Sequence, residues 1–187
     1  VLYTAGESLR LDDSAMPAAT RARLLSALAR AHLGLAEGAR ATELLETALA
    51  LPNLEETPEL RTSIAVERLN SDLTSGRFDE IESRASRLFD EAELSASPET
   101  RLDVEQVLLR ARIEKGERES VLADIEAAMN RAESELGGTH RISLALRHDF
   151  ASVQQLLGKF KEAAEANAVV VLGRASVLGP EHPHTLY

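Results

Sequence analysis

The stretch Leu157–Ala166, "LGKFKEAAEA", joins two apolar helical patterns through a single glycine. The same punctuation occurs at Gly76 in "SGRFDEI" and at Gly116 in "KGERESV", so the three glycines lie 40 and 42 residues apart. Counting back 40 from Gly76 reaches Ala36 in "GLAEGARATEL", again a small residue between apolar runs. Five residues after each turn position stand Ala41, Ile81, Val121 and Ala163, and twelve after it Ala48, Leu88, Ala128 and Val170. A fixed period of this length is the mark of a repeat array, in which each unit covers the apolar face of its neighbour.

A second column keeps the same register. Thr57-Pro58-Glu59 and Ser97-Pro98-Glu99 lie 40 residues apart, and Pro180-Glu181 falls at the matching point two units later. A hydroxyl residue before Pro and Glu predicts a helix start: the hydroxyl caps free N–H groups, and proline lacks the N–H that would be orphaned. The loops "LGGTHRISL" (Leu136–Leu144) and "LGPEHPHTL" (Leu178–Leu186) repeat a Leu-Gly step and a His 42 residues apart. Pro183 is expected to fix the entry to the helix that follows, with Thr185 or an earlier polar group as its cap.

Each unit therefore reads as helix A, a tight turn, helix B and a short loop. Phe78, Ile81, Ala85, Leu88 and Ala92 share one helical stripe, as do Val121, Ile125, Ala128, Ala132 and Leu136. On helix A of the fourth unit the stripe is Leu146, Phe150, Val153 and Leu157. No useful length alternates with period two. The expectation is an all-α, α-α superhelix of antiparallel helix pairs. It is read as one repeat domain over 1–187, with units near 18–53, 57–95, 97–136 and 139–178. Partial units at 1–14 and 180–187 suggest a fragment of a longer protein.

Composition narrows the function. The chain has 187 residues, 44% hydrophobic and 28% charged, with a net charge of −10. That balance argues for a globular chain and against a nucleic-acid surface, which needs clustered cations. No apolar run approaches the ~20 residues of a membrane helix. Cysteine is absent, which fits a cytoplasmic setting and removes thiolate metal sites. No phosphate-binding loop, dinucleotide fingerprint or zinc-protease motif occurs, so the reading is a non-catalytic chain without cofactor or metal. His140 and His182 occupy equivalent loop positions, which predicts hydrogen bonding rather than metal ligation. From Asp79 to Glu105 nine acidic residues face three arginines, a second candidate surface.

The turn and helix "LGKFKEAAEA", with a small residue, an aromatic two later and alanine five later, resemble a tetratricopeptide repeat (TPR). Units of 40 to 42 residues joined by "LGPEHPHTL" are similar to the longer variant of kinesin light chains and of many bacterial signalling proteins. Gly38 and Arg118 depart from the family pattern at the aromatic position. The resemblance implies a concave face lined by the A helices that holds a protein or peptide segment. Carried over position by position, the inward residues are Arg23, Ser26 and Arg30, then Ser63, Val66 and Asn70. The third and fourth units give Asp103, Gln106 and Arg110, then Ala145, His148 and Ser152. The candidate groove is therefore Arg23, Arg30, Asn70, Gln106, Arg110, His148 and Ser152, and its cations favour ligands with local negative charge. A chaperone-type carboxylate clamp is rejected, because Glu67 and Asp103 stand where that ligand would be repelled. The reading is a protein- or peptide-binding scaffold. The alternative is a ligand-sensing region of a larger signalling protein, such as a serine/threonine kinase or a transcription regulator. End-to-end self-association through an uncovered terminal face is a further expectation.

Overall fold

A computed structural model describes residues 16–90 and 97–186. The partial unit expected at 1–14, and Ala92 of the second stripe, lie outside the described residues. These residues are all-helical, with no strand among them. Eight long helices run α1 (Ala18–Gly34), α2 (Gly38–Leu49), α3 (Pro58–Thr74), α4 (Phe78–Asp90), α5 (Pro98–Glu114), α6 (Arg118–Leu136), α7 (Arg141–Leu156) and α8 (Phe160–Leu178). A 3-10 turn spans Leu54–Glu56, and a single turn, α9 (Pro183–Leu186), follows α8. The chain divides into two compact units, residues 1–100 and 101–187.

The four A-to-B turns share one geometry. Ala36, Gly76, Gly116 and Gly158 all have positive φ, at 60°, 71°, 92° and 77°. The N–H after each returns to the carbonyl five residues back: Glu37 to His32, Arg77 to Asp72, Glu117 to Arg112 and Lys159 to Gln154, at 2.9–3.0 Å. This Schellman closure satisfies carbonyls that the helix end leaves free and turns the chain back on itself. Glycine adopts the left-handed conformation at no steric cost, while Ala36 holds it at roughly 1–2 kcal/mol of strain. The expected register is thus carried by backbone conformation as well as by residue type.

Unit 1 packs Leu25, Leu44, Leu45, Leu54 and Ile64 into one core, with Ala22, Ala29, Ala41 and Ala48 letting the helices approach. Fully burying a leucine or isoleucine contributes about 1.5–3 kcal/mol. A Cβ at Gly38, the first residue of α2, would lie 2.6 Å from Ser75 Oγ, so a larger residue there requires the serine side chain to shift. Beneath this contact lies a buried polar network. Asp72 is fully buried and meets Arg68, Arg77 Nε at 2.9 Å and Arg84 Nε at 3.2 Å. Arg68 continues to Glu46 on α2 at 2.9 Å, so one carboxylate on α3 ties three helices together.

Unit 2 packs Leu102 and Leu109 of α5, Val121, Ile125, Ala128 and Ala132 of α6, and Ile142, Leu146 and Val153 of α7. Ion pairs set α5 antiparallel to α6: Arg101 with Glu135 at 2.9 Å near one end, and Arg112 with Asp124 at 2.7 Å near the other. The repeated Leu-Gly step also has its cause here. Gly137 and Gly179 leave α6 and α8 at φ 92°, ψ 150° and φ 95°, ψ 155°, a region essentially restricted to glycine. His140 and His182 then return their N–H groups to Gly137 and Gly179 at 3.1 and 3.4 Å.

Three capping expectations are corrected. Ser97 does cap its helix, accepting from Thr100 N–H at 3.3 Å. Thr57 does not: its hydroxyl turns back and donates to Leu54 O at 3.1 Å, closing the 3-10 turn instead. Pro180-Glu181 lies in the turn, and the helix begins at Pro183, 42 residues after Arg141. Thr185 does not cap that helix; its hydroxyl donates to Gly179 O at 2.9 Å, which its place inside the first turn allows.

Candidate functional site

The repeat register places two polar triads at equivalent positions, one in each unit. In unit 1 Ser26 and Arg30 lie on α1, and Glu67 is 41 residues after Ser26 on α3. In unit 2 Gln106 and Arg110 lie on α5, and Asp149 is 43 residues after Gln106 on α7. Both therefore join consecutive A helices through an acid on the second one.

The unit 1 triad is closed. Arg30 donates to Glu67 Oε1 at 2.5 Å and to Ser26 Oγ at 3.0 Å, while Ser26 donates to Glu67 Oε2 at 2.6 Å. Every oxygen of the carboxylate is occupied. Asn70, half-buried on α3, donates its side-chain amide to Val66 O of its own helix at 3.2 Å. Arg23 is exposed on α1.

The unit 2 triad is open. Gln106 Nε2 donates to Asp149 Oδ2 at 3.0 Å, but Arg110 Nε stops 3.8 Å from Oδ1, beyond hydrogen-bond reach. Aspartate is one methylene shorter than glutamate, which leaves the guanidinium short of its acid. Beside the gap is a cleft of about 260 Å³, lined by Gln106, Arg110, Ala145, His148, Asp149, Ser152 and Arg174, with Ile113 and Glu114 at one side. Ser152 donates to His148 O at 2.9 Å and keeps its acceptor lone pairs.

Electrostatics distinguish this acid from an ordinary surface carboxylate. Burial removes water from Asp149 and pushes its pKa up, against the opposing pull of Arg110, the Gln106 hydrogen bond, His148 and Arg174. The cleft thus offers a guanidinium donor and a desolvated acceptor 3.8 Å apart. Such a pair can take both the carbonyl and the N–H of an amide, or a carboxylate at the arginine side.

Of the expected groove residues, Gln106, Arg110, His148 and Ser152 converge on this cleft. Arg30 and Asn70 lie in unit 1, both in hydrogen bonds within that unit. Four lining residues were not expected: Ile113, Glu114, Asp149 and Arg174. Asp149 shares its repeat column with Glu67, and Arg174 interrupts the column that holds Ala132 one unit earlier. A buried alanine replaced by arginine is a readable signal of a polar pocket. Among the described residues no helix is long and apolar enough to cross a membrane.

No protein-family profile matches the chain, and no curated protein sequence matches it. Its structure is similar to the crystal structure of nearly identical TPR-like repeats from a putative kinesin light chain of Podosopora anserina. The likeness has a TM-score of 0.61 at 25% identity and covers 91% of this chain and 82% of that one. The four matching turns, the 40- and 42-residue register and this likeness give the chain the fold of a TPR-like repeat solenoid.

Proposed function

We propose that the chain is a non-catalytic scaffold that holds a segment of another protein on the A-helix side of its second unit. Gln106, Arg110, His148 and Ser152 form the contact surface. The observation that carries this reading is the open triad: Arg110 stands 3.8 Å from Asp149, whereas Arg30 meets Glu67 at 2.5 Å. The volume also selects the occupant. About 260 Å³ lies below the ~300–1,000 Å³ of drug-sized ligand pockets, so a side chain or a stretch of main chain suits it better than a cofactor. Arg110 takes a carbonyl or carboxylate from the bound segment, and Asp149 Oδ1 accepts an N–H. An acidic side chain next to that N–H adds charge complementarity at Arg110 and Arg174.

A peptide library selected on the immobilised chain tests this. Charge-assisted hydrogen bonds contribute roughly 1.5–3 kcal/mol, so Arg110→Ala should weaken the selected peptides about tenfold or more. Arg30→Ala serves as the internal control, because Arg30 is committed to Glu67, and should change affinity little. Equal losses from both substitutions, or none from Arg110→Ala, would move the binding surface elsewhere, with the acidic stretch Asp79–Glu105 next to be tried.

A further inference from the structure

Asp149 is a buried acid without a close cation. It is 8% exposed, and its one hydrogen bond comes from a neutral amide, Gln106 Nε2, at 3.0 Å. Asp72, also buried, is met by the guanidiniums of Arg68, Arg77 and Arg84. A buried carboxylate is stable when a positive charge meets it directly, yet Arg110 Nε stays 3.8 Å from Asp149 Oδ1. Oδ1 accepts no hydrogen bond from the described residues, and both Asp149 and Arg110 line the cleft. Unit 1 has no counterpart: Glu67 receives Arg30 on one oxygen and Ser26 on the other.

Taking the cleft as the protein-binding site described above, we infer that it holds the N-terminus of the partner segment. The free α-ammonium group goes to Asp149 Oδ1, and the carbonyl oxygen of the same residue goes to Arg110. Charge selects the ammonium. An internal amide N–H leaves the buried carboxylate unbalanced, whereas an ammonium brings a full positive charge and three donors. Burial pushes the Asp149 pKa up in spite of Arg110 and Arg174, as in a carboxylate still short of positive charge. Spacing selects the α position. In an α-amino carbonyl unit the nitrogen and oxygen lie roughly 2.7–3.6 Å apart by standard bond lengths and angles. That is close to the 3.8 Å between Oδ1 and Arg110 Nε, so one residue makes both contacts side by side. A lysine ammonium, on a flexible four-carbon stem, holds no such fixed spacing to its own carbonyl. A terminal residue also needs only one way out of the cleft, which suits a volume of about 260 Å³.

A synthetic library of short peptides tethered through their C-termini, made both with free amines and N-acetylated, tests this on the 187-residue chain. Free-amine peptides should be selected. Calorimetry should then show that acetylating the best of them weakens binding about tenfold or more, as loss of a charged hydrogen bond does. Asp149→Asn removes the charge with little change of shape. It should bring the free peptide down to the level of the acetylated one and leave the acetylated one nearly unchanged, with circular dichroism confirming the helical fold. Equal weakening of both forms would mark Asp149 as a structural residue and overturn the proposal. An acetylation effect that survives in Asp149→Asn places the ammonium elsewhere and overturns it as well. Arg110→Ala separates this inference from the reading beneath it. If Arg110→Ala weakens the peptide but acetylation does not, the cleft binds a segment and only the N-terminal assignment falls. If no peptide is selected, or Arg110→Ala changes nothing, the cleft is not the binding surface and both fall. A free amino acid bound as tightly as the peptide it heads assigns the cleft to a small zwitterion, which also overturns the proposal.

Discussion

The two units solve one problem in opposite ways. Each links consecutive A helices through a donor pair on one helix and an acid on the next. In unit 1 the acid is Glu67, and Arg30 closes on it at 2.5 Å. In unit 2 the acid is Asp149, and Arg110 remains 3.8 Å away beside a cleft. One methylene separates a staple from a site. The buried charges differ in the same sense: Asp72 of unit 1 is surrounded by three guanidiniums, whereas Asp149 is buried with one hydrogen bond from Gln106. Unit 1 spends its polar groups on holding helices together, and unit 2 leaves part of their capacity for a ligand.

The sharpest way to break this comparison is to remove the acid at the centre of unit 1. Asp72→Ala leaves Arg68 buried without its main counter-charge, and breaking a buried pair costs about 3–5 kcal/mol. Chemical denaturation should show a loss of that order. A loss below about 1 kcal/mol, the level of a surface ion pair, would mean that the network does not hold the unit.

The turns offer a smaller and oppositely signed test. Ala36 alone among the four turn positions has a side chain in the left-handed conformation. Ala36→Gly should stabilise the chain by about 1 kcal/mol, and Gly116→Ala should destabilise it by a similar amount. Nothing lies within 4 Å of a Cβ built at Gly116, so backbone conformation alone is being tested. Equal melting temperatures for both variants and the parent would refute the shared-turn account.

The smallest expected effect concerns pH. Burial raises the Asp149 pKa in the folded chain, so folding favours its protonated form. Its unfavourable contribution is fully present above the folded pKa and fades as pH falls through that value towards the unfolded one. Asp149→Asn should therefore melt slightly higher than the parent at neutral pH, and the difference should shrink towards about pH 4. A difference that grows on acidification would reverse the sign of the argument.

Most of the fold was legible because it rests on local rules that leave residue-type signatures. Gly76, Gly116 and Gly158 mark left-handed turns, and the column Ala41, Ile81, Val121 and Ala163 is buried throughout. Even Ala36 was found by register, although alanine by itself signals no turn. Caps were less legible, since a hydroxyl can bond forward or backward: Ser97 takes the first course and Thr57 the second. For the site, position identified Gln106, Arg110, His148 and Ser152 as candidates. Position could not show which guanidinium would reach an acid, because Glu67 and Asp149 look interchangeable in a repeat column. The distinction depends on side-chain length across two helices, which becomes visible only in three dimensions.

The central claim, that the shorter acid keeps the unit 2 cleft open for a bound segment, is tested most directly by Asp149→Glu. A peptide selected on the parent chain would be titrated calorimetrically into both proteins. The added methylene should let the carboxylate reach Arg110 as Glu67 reaches Arg30. Affinity should then fall about tenfold or more, the worth of a charged hydrogen bond, with no loss of thermal stability. An unchanged affinity in a folded Asp149→Glu chain would contradict the account.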